Sequence, residues 1–183
     1  MTRDDTVPAL GGINGPFHSA ANREDSPMLR GALYHTMPTD QLVSQMNAMQ
    51  QRLFACDCAE RVLPLYEAQN PADAEPRRAV EIARRYAQGT ATIQEVDLAL
   101  IATYAARPGQ RVHMGDIDPI EPEDDHGMLA WKTVIRAVMA AWFPEIRTLS
   151  TMLASERANG GLTESMWQRE RALWYLTEGS PAH

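Results

Sequence analysis

From Thr39 onward the apolar positions recur at intervals of three and four. Leu42, Met46, Met49, Leu53 and Cys56 fall on one helical face, and Phe54, Cys58, Val62 and Leu65 widen it. Thr39 reads as the N-cap, with Asp40 in the first turn, where an acid suits the helix dipole. Pro64 lacks an N–H and its ring crowds the carbonyl of Glu60, which predicts a bend or an end there, completed by Asn70-Pro71. A second helix opens at Pro76, turns Ala79, Val80, Ala83, Tyr86 and Ala87 inward, and stops at Gly89. Thr92-Ile93-Gln94-Glu95 fits a capping box, starting a third helix through Val96, Leu100, Ile101 and Tyr104 that ends at Pro108-Gly109.

Beyond an acidic stretch, Met128, Trp131, Ile135, Val138 and Trp142 mark an amphipathic helix that ends before Pro144. A shorter one runs through Ile146, Leu149 and Leu153 to Gly160-Gly161, and Thr163 caps a last one bearing Trp167, Leu173, Trp174 and Leu176. No window alternates at period two, so strands find little support. The pattern predicts an all-α fold: a single helical domain of about six helices over residues 39–183, preceded by an irregular N-terminal arm over 1–38. Pro8, Gly11, Gly12, Gly15, Pro16, Pro27, Gly31 and Pro38 break any regular structure in the arm. Its Val7, Leu10, Ile13, Phe17 and Leu29 suit it to lie along the domain or along a neighbouring subunit.

A chain of 183 residues, 44% hydrophobic and 22% charged, has room for one cored domain and is not a disordered polymer. No apolar run is long enough to cross a membrane and no signal-like run follows Arg3-Asp4-Asp5, so a cytoplasmic location is the expectation. The net charge of −7 is concentrated: the acidic loop, residues 108–127, holds six acids against one Arg. Phosphate backbones need clustered Lys and Arg, so nucleic acid is a poor ligand, whereas a basic protein partner is electrostatically suited.

Chemistry is harder to find. There is no phosphate loop, no H-E-x-x-H, no G-x-S-x-G and no dinucleotide fingerprint, so no cofactor is called for. Cys56 and Cys58 are too few for a disulfide framework, and in a helix they point about 200° apart, which reads as two buried thiols rather than a chelate. Asp57, Glu60 and Glu67 align along one side of their helix, and Glu60 continues the apolar stripe, so partial burial is expected of it. Such carboxylates could serve acid–base chemistry. An internal ion-pair network with Arg77, Arg78, Arg84 or Arg85 of the next helix is the favoured reading, since a guanidinium fork braces a carboxylate well. His113, Asp116, Asp118, Glu121, Glu123, Asp124, Asp125 and His126 form either a solvated loop, a docking face for a basic partner, or a divalent-ion site; the spacing fails the calcium-loop template. Trp131 and Trp142 read as core, while Trp167 and Trp174 suit either core or an interface anchor.

Asp57-Cys58-Ala59-Glu60, Val62-Leu63-Pro64-Leu65-Tyr66-Glu67, Pro71-Ala72-Asp73, Pro76-Arg77-Arg78-Ala79 with Glu81, Ala83-Arg84, and Gly89 occur in that order. Together they resemble the motif of the Imm-five-like group, immunity proteins of bacterial toxin systems, over about residues 51–107. The resemblance implies an all-α, non-enzymatic protein binder that neutralises a cognate toxin. On that reading Asp116, Asp118, Glu121, Glu123, Asp124, Asp125, Trp167 and Trp174 form the docking face, and Asp57, Glu60, Glu67, Arg77 and Arg84 brace the helices. The alternative is a helical assembly protein that forms a homo-oligomer, its arm wrapping a neighbouring subunit. A metal-dependent enzyme centred on His113 to His126 is a third.

Overall fold

In the computed structural model, residues 33–106, 119–122 and 124–179 are described. Among them seven helices and no strand are found: α1 (Thr39–Gln45), α2 (Ala48–Gln69), α3 (Glu75–Ala87), α4 (Ile93–Ala105), α5 (His126–Met139), α6 (Pro144–Asn159) and α7 (Leu162–Thr177). The all-α expectation holds, with one helix more than the periodicity suggested. Most of the arm, residues 1–32, and residues 107–118 of the acidic loop lie outside the described residues.

The extra helix comes from a break that the apolar stripe runs across. Asn47 accepts a hydrogen bond from the Gln50 backbone N–H at 2.9 Å, and Gln50 Oε1 accepts one from Asn47 N–H at 3.0 Å. This capping box restarts the helix at Ala48 and leaves α1 as a short piece that begins after Pro38, so Thr39 is its first residue rather than its cap. Pro64, conversely, does not end α2. It sits on an exposed position within a helix that continues to Gln69, since only one backbone bond is lost while Leu63 and Tyr66 on either side stay buried. Further on, Thr163 lies inside α7, whose first turn follows Gly160 and Gly161 at φ 79° and 102°, left-handed values that favour glycine.

Two helices carry stretches that are buried on all sides. Every residue from 53 to 59 of α2 is buried, and so is every residue from 129 to 141, which covers most of α5. The α5 expectation of one apolar face is therefore too narrow, for Lys132 and Arg136 go inside with the rest. α2 packs against α3, α5 and α6, and α1 and α7 close the remaining side. α2 consequently separates two apolar clusters. Cys56, Ala59, Val62, Leu63 and Tyr66 face α3, α4 and α5, where Tyr104 meets Trp131 edge-on at 5.3 Å. Leu53, Phe54 and Cys58 face Leu42, Val43, Met152, Ala172 and Tyr175 of α1, α6 and α7. Burying one such side chain contributes about 1.5–3 kcal/mol, so each cluster is sufficient to hold its helices in place. The two thiols thus belong to different cores, as their angular separation requires.

Candidate functional site

The joint between α2 and α7 concentrates the buried charge. Asp57 comes from the buried stretch of α2, and its carboxylate accepts three hydrogen bonds: from Arg84 Nη2 of α3 at 2.7 Å on Oδ1, and from Arg171 Nε at 2.5 Å and the Tyr175 hydroxyl at 2.7 Å on Oδ2. Arg84 also grips Glu60, with Nε at 3.0 Å from Oε1 and Nη2 at 2.9 Å from Oε2. Two turns along, Arg77 holds Glu67 through both arms of its fork, at 2.7 and 2.8 Å. Asp57, rather than Glu60, is the buried acid; Glu60 is exposed, a correction to the stripe-based expectation. Asp57 stands one turn earlier, where α3 and α7 both cover the helix.

A second junction runs the other way. Glu164 of α7, with its side chain fully buried, accepts a hydrogen bond from Arg61 Nε of α2 at 2.5 Å and from Asn159 Nδ2 at 2.8 Å. Ser155 Oγ and Gln168 Nε2 approach its other oxygen, each at 3.4 Å. Each helix therefore gives one acid and one arginine to the joint. Each arginine also lies over a tryptophan: Arg61 over Trp167 at 4.6 Å and Arg171 over Trp174 at 4.4 Å. Trp167 is half-buried in this stack, while Trp174 remains 39% exposed.

Electrostatics fit bracing. Burial opposes charge on Arg84 and Arg171, but hydrogen bonding and proximity to Asp57 outweigh it and hold both guanidinium groups protonated above their ordinary range. Burial and the nearby carboxylate push the Tyr175 phenol upward, so it stays a donor. Burial lifts the Cys56 thiol to about 12 and Cys58 well above the ordinary thiol value, which leaves both protonated and unreactive at neutral pH.

Asp124 and Asp125 of the acidic segment bond within the fold. Asp124 is half-buried, its side chain 8% exposed: its Oδ2 lies 2.7 Å from Lys132 Nζ and accepts from Glu121 N–H at 2.8 Å. It is an internal ion-pair partner, because Lys132 is carried into the core by α5 and requires a counter-charge there. Burial would raise the Asp124 carboxyl, but these bonds hold it below the usual range. Asp125 is exposed but caps α5, accepting from Met128 N–H at 2.7 Å. His126 Nδ1 donates to the Ala158 carbonyl at 2.6 Å. His113, Asp116, Asp118 and Glu123 lie outside the described residues. No group of three or more His, Cys, Asp or Glu side chains converges as metal ligands among the described residues.

Sequence reasoning reached Asp57, Glu60, Glu67, Arg77 and Arg84, all on neighbouring helices. It missed Arg61, Lys132, Glu164, Arg171 and Tyr175. Arg171 and Glu164 sit more than a hundred residues from their α2 partners, and no spacing rule links them; the one local hint is Arg171 three residues before Trp174.

Residues 41–111 match the family model described as Imm-5 like putative immunity protein. The match begins within α1, covers α2 to α4 with Asp57, Glu60, Glu67, Arg77 and Arg84, and leaves α5 to α7 outside it. It contains the stretch 51–107 on which the motif was read. No curated protein and no solved structure matches the chain. Among the described residues no helix is long and apolar enough to cross a membrane.

Proposed function

We propose that the chain is a non-enzymatic protein-binding module, an immunity protein that neutralises a cognate bacterial toxin by covering it. The family match over α1 to α4 carries this reading. The α2 carboxylates support it: Asp57, Glu60 and Glu67, the best acid–base candidates in the matched segment, are each engaged by arginine. A catalytic carboxylate would need an open lone pair toward a substrate, and Asp57 is 7% exposed with three donors already on it.

The outer face of α7 is the docking surface in this reading. Leu162, Met166 and Trp174 are 83%, 63% and 39% exposed, and Trp167 lies among them under Arg61. Trp, Met and Arg are the residue types enriched at interface cores. The net charge of −7 suits a basic toxin, whose encounter it would accelerate. The assembly alternative receives less support, since Arg169 of α7 donates to the carbonyl oxygens of His35 and Met37, fastening the end of the arm to its own chain.

The test is a pull-down of the full chain from its native host, followed by co-expression with any toxin recovered, with growth rescue and complex mass as readouts. Rescue with a stable complex is expected, and Met166→Ala/Trp174→Ala should weaken binding by about tenfold or more, the level of an interface hot spot. A toxin that kills equally with and without the chain would overturn the proposal.

A further inference from the structure

A cleft of about 280 Å³ opens beside the Asp57 junction, lined by Leu53, Arg84, Gln88, Arg171, Trp174 and Glu178 among others. The two arginines in its wall are not equally engaged. Arg84 is committed twice, to Asp57 and to Glu60. Arg171 directs Nε to Asp57 and leaves the Nη1–Nη2 edge of its fork outside that bond, with the side chain 34% exposed. That edge is the one that receives a planar carboxylate through two parallel hydrogen bonds.

The fork is also held still. Asp57 fixes Nε, Trp174 lies 4.4 Å from the guanidinium on one ring and Tyr175 5.2 Å on another, and Gln50 Nε2 pins the Tyr175 carbonyl at 2.6 Å. Gly179 packs so closely on Trp174 that an added Cβ would stand 2.5 Å from the indole. A donor pair fixed before binding loses little entropy on binding, which is the main reason such contacts gain affinity.

We propose that this cleft receives a single carboxylate side chain of the protein partner, held end-on by Arg171 with Trp174 against its aliphatic stem. The proposal rests on the protein-binding reading and names the contact that would orient the partner. The wall chemistry selects a monoanion. A cation would face two guanidinium groups. A phosphate dianion would meet about twice a carboxylate's repulsion from Glu178 and from the C-terminal carbonyl ends of α3 and α7, which finish next to Gln88 and Glu178.

The probe is N-acetylglutamate N-methylamide titrated into the full chain, followed by NMR of the Arg171 Nε–H and Trp174 indole N–H signals. Its glutamine counterpart and inorganic phosphate serve as comparisons. A saturable shift with the glutamate probe alone is expected. Arg171→Lys should weaken it by about tenfold, the loss expected when one charge-assisted bond of a bidentate pair goes. Glu178→Gln, at an exposed position, should tighten it about two- to threefold through relief of like charge, and keeps the test decisive should the Arg171 variant fail to fold. No saturable shift, an equal response to the glutamine probe, or tighter binding of phosphate would overturn the carboxylate assignment. Because the probe is read on the chain alone, a positive titration beside a failed growth rescue would reject the toxin reading and keep the site, and the reverse result would reject the site only.

Discussion

Asp57 and Glu164 join the same two helices from opposite sides, and what differs is the surplus left at each joint. Glu164 has one guanidinium partner and completes its bonding with an amide and two neutral groups, all within the fold. Asp57 has two guanidinium partners and a phenol; Glu60 supplies the second negative charge, so the joint balances in charge and its surplus is of N–H donors, on the edge of Arg171 that Asp57 does not engage. The Glu164 junction is closed, whereas the Asp57 junction leaves a fixed donor edge at the surface. A buried acid can therefore act as a strut or as a mount for something that faces outward, depending on how many cations it gathers.

The most severe way to break the comparison is to remove each acid. Asp57→Ala would leave Arg171 without its carboxylate and Arg84 with Glu60 alone, and should cost about 3–5 kcal/mol in urea unfolding. Glu164→Gln keeps shape and some of the bonding, so about 1–3 kcal/mol is expected. Equal losses would mean that the extra guanidinium at Asp57 has no energetic consequence. A finer probe is Arg61→Lys, which retains charge but loses the fork and most of the stacking on Trp167. About 1 kcal/mol is expected, with a change in Trp167 fluorescence.

Acid titration sharpens the contrast with Asp124, a half-buried acid that has a single ammonium partner. The Asp124 carboxyl is held below its unfolded value. Its contribution to stability is thus fully present above pH about 3.9 and disappears as pH falls through the lower folded value. Urea midpoints measured between pH 5 and 2 should fall less steeply in Asp124→Asn than in the parent chain. An identical slope would remove Asp124 from the account of acid unfolding.

Much of the layout was legible from residue spacing, because helices that bury one face must repeat their apolar residues at three and four. Thr92 with Glu95 marked the start of α4, and the bond from Thr92 N–H to Glu95 at 2.7 Å is the physical content of that signal. The Asn47–Gln50 box was equally present in the sequence, but the stripe from Leu42 to Cys56 runs through it without a change of phase. Pro64 misled for the opposite reason, since a proline signals the loss of one bond and not the packing that outweighs it. Half of the Asp57 junction was legible because Arg84 is on the next helix. The other half comes from α7, brought back over α2 by tertiary packing for which local periodicity carries no signal.

The burial of residues 53–59 on every side has a consequence for how this chain can change over time. A single residue inserted ahead of Leu53 would turn the following segment by about 100°, carrying the Asp57 carboxylate away from its cations and into oil. Such a spindle tolerates side-chain exchange but not a change of length, so variation among kindred chains should accumulate on the outward side of α7, where partners could be swapped while the axle keeps its phase.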